Sequence, residues 1–221
     1  MHYMKNTPNP LKKRLMQGAL LGMLLVSASV ARAQIGSGWS SMSIGGFIDY
    51  EVDDVHHQHS VSSFSLSSCY YTKGTSSETF GLKTSHSNRV EHDTDSHYSS
   101  GKRQFQGNLQ IFSGISSQST VQIFNGKASG PILMIKGYGS DGGKLEKQGG
   151  SVVIATSCFG TTKRINIIHD LNANTMAVYV NGTKKWSGSG GVGGSFNLKY
   201  GLYGSFNSST KTIWSSVKMW H

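Results

Sequence analysis

Asn197-Leu198-Lys199-Tyr200-Gly201-Leu202-Tyr203-Gly204 alternates with a period of two, and this alternation sets how the rest of the chain is read. A strand turns successive side chains to opposite faces, so Leu198, Tyr200 and Leu202 share one face and Asn197, Lys199, Gly201 and Tyr203 the other. The first face can pack against a core. The second suits a cleft that holds an anion and moves a proton, because it sets a cation, a glycine and a phenol in a row, and glycine lets a bulky group approach the backbone. An ordinary half-buried strand with its Lys and Tyr turned to water accounts for the same pattern.

Downstream of residue 33 the chain repeats this style. Glycine and serine are abundant, Pro131 is the one proline, and no long apolar helical pattern occurs. Short runs rich in Val, Ile, Phe and Tyr between Gly/Ser/Asn turns predict an all-β protein of one sandwich or jelly roll. Strands are predicted over 61–71, 79–83, 89–92, 103–112, 120–124, 132–138, 151–156, 163–170, 175–180, 184–187, 198–206 and 212–220. Asn181-Gly182 predicts a tight hairpin, since both residues tolerate the positive φ of a primed turn. Residues 34–60 are the least legible segment. The expected organisation is therefore a leader over 1–33, a poorly defined segment over 34–60 and a β-jelly-roll domain over 61–221, with no internal repeat.

The leader reads as an export signal. Lys12-Lys13-Arg14 form a basic region, Gly18 to Val30 an apolar core too short to span a bilayer, and Ala31-Arg32-Ala33 a cleavage site before Gln34. A secreted or periplasmic protein with no membrane attachment after cleavage is expected. Removing Lys5, Lys12, Lys13, Arg14 and Arg32 lowers the net charge to 21 − 5 − 11 = +5. That residual charge favours polyanions. Nucleic acid is discounted, because the cations are spread between strands and no recognition helix is evident. Cys69 and Cys158 are the only cysteines and allow one bridge or two separate thiols.

Two further sets of residues stand out. Gln104, Gln106, Asn108 and Gln110 alternate with Phe105, Leu109 and Ile111, a polar row that suits either a sugar-binding floor or a solvated sheet surface. Gln122 shares a face with Phe124, a carboxamide beside an aromatic platform. His56, His57 and His59 with Asp53 and Asp54 form a local cluster, but H-H-x-H in a loop lacks the geometry of a defined metal site, and no metal or cofactor is expected.

The spacing Lys199-x-Gly201-x-Tyr203 resembles the Tyr-Phe-Lys-x-Gly-x-Tyr strand of the alginate lyases of polysaccharide lyase family 7. Val121-Gln122-Ile123-Phe124 is similar to the Gln-Ile-His strand of that family, and Asn88-Arg89-Val90-Glu91 to its Arg-Thr-Glu-Leu strand, in the same order along the chain. Ile165 to Asp170 followed by Ala177 to Gly182 resembles more closely the glucuronan-lyase-like and plant citrate-binding-protein branch. The resemblance covers roughly residues 60–220. It implies a monomer that binds an acidic polysaccharide and cleaves it by β-elimination at a uronic acid.

Carried over position by position, the resemblance assigns Arg89 and Gln122 to the substrate carboxylate and Tyr203 to the acid, alone or together with the base. Lys199 and Asn197 fall on the same strand as substrate-binding residues, with Gln104, Gln106, Asn108 and Phe124 completing the expected surface. Two departures stand against a simple transfer. Phe124 occupies the position of the family's histidine, and Asn197 replaces its first motif tyrosine. Either Tyr203 works alone or a histidine near Arg89, His86 or His92, fills in. A carbohydrate- or carboxylate-binding protein without catalysis is the alternative, and a structural surface protein the third reading.

Overall fold

The computed structural model describes residues 34–84, 88–127, 130–204 and 208–221. The expected leader, and His86, lie outside the described residues. In chain order the strands are β1 (Ser41–Met42), β2 (Phe47–Val52), β3 (Val55–His59), β4 (Ser63–Ser65), β5 (Cys69–Lys73), β6 (Ser77–Leu82), β7 (Arg89–Asp93), β8 (Lys102–Ile111) and β9 (Ser116–Asn125). They continue with β10 (Pro131–Tyr138), β11 (Lys144–Lys147), β12 (Val152–Ala155), β13 (Lys163–Asp170), β14 (Thr175–Val180), β15 (Thr183–Ser189), β16 (Phe196–Tyr203) and β17 (Thr210–Trp220).

The strands form two antiparallel sheets. One runs β15-β14-β13-β8-β17-β6-β5-β4, with β1 added against the end of β17, and the other β12-β11-β10-β9-β16-β7-β2-β3. Sequence-distant neighbours such as β7, β16 and β9 lie side by side, the crossed connectivity of a jelly roll rather than a meander. Each inner face carries the apolar half of an alternating pattern, and the two faces meet in a single core.

Tyr200 is the hub of that core. Its ring centroid lies 5.7 Å from those of Phe80, Phe105 and Trp214, and all four side chains are buried. Burying a ring of this size stabilises by roughly 2–3 kcal/mol. The phenol oxygen is satisfied inside the core by hydrogen bonds to Glu78 and to His92 Nδ1 (2.9 Å). Glu78 also accepts from Tyr71 at 2.5 Å and pairs with His92 at 2.9 Å.

Three sequence expectations change. The run expected over 61–71 divides into β4 and β5. Residues 34–60, left without assignment, contribute β1 and the β2–β3 hairpin, whose two-residue turn holds Asp53 and Asp54 at φ values of 49° and 63°. Strand β11 was not anticipated. The Asn181-Gly182 turn has the positive φ values expected of it, 51° and 85°. Cys69 and Cys158 are separate buried thiols.

Candidate active site

The outward face of the second sheet gathers the titratable groups. Across β2, β7, β16 and β9 the register pairs Arg89 with Tyr203, Glu91 with Gly201 and Asp49, and Lys199 with Asp93 and Gln122. Because opposite residues on one face lie within reach of each other, one parity in four strands builds a single cluster. The Arg89 guanidinium lies over the Tyr203 ring, 4.6 Å from its centroid. Arg89 Nη1 donates to Asp49 Oδ2 at 3.3 Å, and Lys199 Nζ bridges Asp49 Oδ2 and Asp93 Oδ2, each at 2.9 Å. Gln122 Nε2 donates to Glu91 at 2.8 and 3.1 Å, and Asn197 Nδ2 donates to Asp93 at 2.8 Å.

Burial and charge act against each other here. Burial alone would raise the Asp49 carboxyl, but the hydrogen bond and charge of Lys199, the charge of Arg89 and the His56 contact hold it below the ordinary range. Glu91, fully buried, goes the other way: desolvation lifts it to about 7, although Arg89, Lys199 and the Gln122 hydrogen bond oppose the rise. Burial likewise works against the charge of Arg89 and Lys199. For Arg89 the opposing partners are Asp49, Glu91 and Tyr203, for Lys199 they are Asp93 and Asp49, and both groups end above their ordinary values. Three carboxyl groups therefore face two permanent cations, and the cluster carries no surplus positive charge.

Beside the cluster lies a depression of about 400 Å³ lined by Asn88, Ser117, Met134, Lys136, Gln148 and Tyr203. Tyr203 is half-buried at its wall, where the β16–β9 register slips between Tyr200 and Tyr203. Such bulges re-aim a strand end. Gly201 sits in the slip with φ +141°, and a Cβ there would fall 2.5 Å from the Val90 carbonyl oxygen. The close approach that demands this glycine is therefore that of β7, not of a ligand.

The structure brings Arg89, Gln122, Lys199, Asn197 and Tyr203 together, with Phe124 beneath Lys199 at 5.9 Å. Gln122 and Asn197 are almost fully buried and spend their amides on Glu91 and Asp93. Gln104, Gln106 and Asn108 are not part of this surface. They lie on β8 in the opposite sheet, where Gln104 bonds Ile35 and the Asn166 amide donates to both glutamines. His92 points into the core, so it cannot serve as the base beside Arg89.

Sequence reasoning missed Asp49, and it grouped His56 with a loop cluster of histidines instead of with Arg89. His56 Nε2 contacts Asp49 and lies 3.3 Å from Arg89 Nη1, which makes it the histidine among the described residues that reaches the cluster. Its neighbours do not join it: His57 and His59 take the other side of β3 or its end and pack on Tyr50 at 5.1 and 5.9 Å. Among the described residues no group of three or more His, Cys, Asp or Glu is arranged to hold a metal.

The chain matches no family model. Over 126 residues it is 25% identical to the citrate-binding protein of Hevea brasiliensis, a match spanning 56% of this chain and about half (51%) of that protein. Among solved structures it superposes on an alginate lyase of polysaccharide lyase family 7 with a TM-score of 0.60, covering 80% of this chain and 94% of the other at 14% identity. A second alginate lyase, solved with dimannuronate, gives a TM-score of 0.63 at 10% identity, covering 80% of this chain and 89% of the other. The fold is that of the family 7 alginate lyases. Their jelly roll and the expected all-β sandwich coincide, and the likeness extends over nearly the whole of the solved domains.

Proposed function

We propose that the chain is an exported lyase that cleaves a uronate-containing polysaccharide, such as alginate or glucuronan, in the depression beside Tyr203. The observation that carries this reading is the Arg89–Tyr203 pair: a half-buried phenol at the wall of a groove, with a guanidinium over its ring. Proton abstraction by Tyr203 requires negative charge on its phenol oxygen, and the Arg89 guanidinium over the same ring is placed to balance it. The basic leader with its Ala31-Arg32-Ala33 site supports export.

In this mechanism Lys136 and Asn88 meet the uronate carboxylate, replacing in that role Arg89 and Gln122, which are engaged by Asp49 and Glu91. Neutralising the carboxylate acidifies the C5 proton. Tyr203 removes that proton, the electron pair forms the C4–C5 double bond, and the C4–O glycosidic bond breaks. The phenol then returns the proton to the departing oxygen, so one group serves as base and acid in a syn elimination. Arg89 stabilises the charge on the phenol oxygen rather than holding substrate.

The internal pairing of Arg89 and Lys199 favours a second reading, a carboxylate-binding protein with no turnover. A panel of polyuronates scored by absorbance of the unsaturated product separates the two. Tyr203→Phe should abolish product while polymer binding persists, because ring and packing survive. A wild-type chain that binds a polyuronate yet yields no unsaturated product from any of them would establish the binding protein instead.

A further inference from the structure

The opposite sheet carries a second depression, of about 370 Å³, lined by Tyr70, Lys83, Phe112, Ser209 and Lys211 among others. Its floor follows from one cross-strand row. Tyr70 on β5, Gly81 on β6 and Lys211 on β17 are direct neighbours on the outward face, because Tyr71, Phe80 and Thr212 take the inward parity. A Cβ at Gly81 would meet the Tyr70 ring at 1.9 Å, so the missing side chain is what lets that ring lie across the strand as a shelf. Lys83 Nζ stands 5.4 Å from the centroid of Tyr70, and Lys211 Nζ 4.5 Å from that of Phe112.

The charge here contrasts with the Arg89 cluster. Neither Lys83 nor Lys211 has an acidic partner among the described residues, whereas Arg89 and Lys199 are neutralised within the fold. Lys83 is held in place by Ser65 Oγ at 2.9 Å and the Leu66 carbonyl at 2.7 Å, which leaves one donor hydrogen to aim elsewhere. Two oriented ammonium groups, two aromatic faces and the hydroxyls of Ser113 and Ser209 are the components that hold an anionic sugar: apolar ring faces stack on the aromatics, and the carboxylate meets the cations.

We propose that this depression over Gly81 is a second binding site, on the sheet opposite Tyr203, for one acidic residue of a glycan chain. Preference for a glycan over nucleic acid rests on the polyuronate reading of the groove; the anion-and-ring chemistry of the site does not. A single long polymer can then engage both faces, while a short oligosaccharide fills one.

The test measures binding of polymeric alginate, a neutral glucan and single-stranded DNA to the intact chain by affinity electrophoresis, with turnover of alginate tetrasaccharides followed separately. Lys83→Gln combined with Lys211→Gln should weaken alginate binding about tenfold, the loss of one charge-assisted contact. Tyr70→Ala should weaken it comparably and Tyr70→Phe should not, because the shelf needs only the ring. Tetrasaccharide turnover, where present, should stay unchanged. Unaltered alginate binding by the double lysine variant overturns the site, and so does a wild-type preference for DNA over alginate that the lysine changes abolish. If the lysine variants lose alginate binding while the wild-type chain shows no turnover, this site stands and the lyase reading of the groove falls.

Discussion

Glu91 offers the sharpest test of the cluster's electrostatics. Its carboxyl is raised from 4.5 to about 7 by burial, so the folded state holds a proton that the unfolded chain releases. The stabilisation this confers is fully present below about pH 4.5, declines as pH rises, and is gone above about pH 7. A shift of roughly 2.5 pH units corresponds to about 3 kcal/mol, a large part of a domain's net stability. Asp49 and Glu78 have lowered values and act in the opposite sense, but their stabilisation is lost only as pH falls below their unfolded values of 3.8 and 4.5. His169, depressed by burial, gains stability as pH rises towards 6.5 and overlaps the Glu91 window. Comparison with Glu91→Gln removes that overlap, because glutamine keeps an acceptor for Gln122 and cannot titrate. Urea unfolding of both chains between about pH 4.5 and 8 should show wild-type stability falling, relative to Glu91→Gln, by about 3 kcal/mol. A difference that stays constant across that range would refute the account.

Two further changes probe the same face. Asp49→Asn removes a fully buried carboxylate that both Lys199 and Arg89 contact, and should cost about 3 kcal/mol in urea unfolding while making polyanion binding tighter and more salt-sensitive. Gly201→Ala forces a Cβ against the Val90 carbonyl at positive φ, so its melting temperature should drop by the equivalent of roughly 3 kcal/mol; an unchanged melt would mean that β7 and β16 separate more easily than their register implies.

What could be read in the sequence was parity. A period of two says which side chains share a face, as it does for Lys199 with Tyr203 and for Gln122 with Phe124, whereas grouping Arg89 and Gln122 with Tyr203 came from the resemblance to the family 7 alginate lyases. Parity does not say which sheet a strand joins. The carboxamides of β8 alternate as expected, yet pairing of β8 with β13 and β17 carries them to the sheet opposite Tyr203. Ile48, Tyr50 and Val52 alternate with Asp49 and Glu51 just as clearly, but the Asp53-Asp54 turn and the histidine run after it look like a solvated loop until the hairpin is closed. A paired-aspartate turn between two valines was the available signal.

The same distinction explains why net charge misleads about the groove. A net charge of +5 over residues 34–221 implies attraction to polyanions, and Arg89 and Lys199 look like its local agents when only their own strands are read. Cross-strand register decides otherwise, because Asp49, Glu91 and Asp93 come from β2 and β7 to meet them. Among the cations that line the two depressions, Lys136 in the groove and Lys83 and Lys211 on the far sheet have no acidic partner among the described residues and are free to draw an acidic polymer. In the proposed mechanism the paired Arg89 acts on the phenol of Tyr203 instead, where a charge fixed by its carboxylate partners needs little reorganisation as the proton moves. On the lyase reading, attraction and chemistry fall to different residues, so neutralising Lys136 should weaken capture of the polymer, whereas removing the charge of Arg89 should slow turnover of polymer already bound.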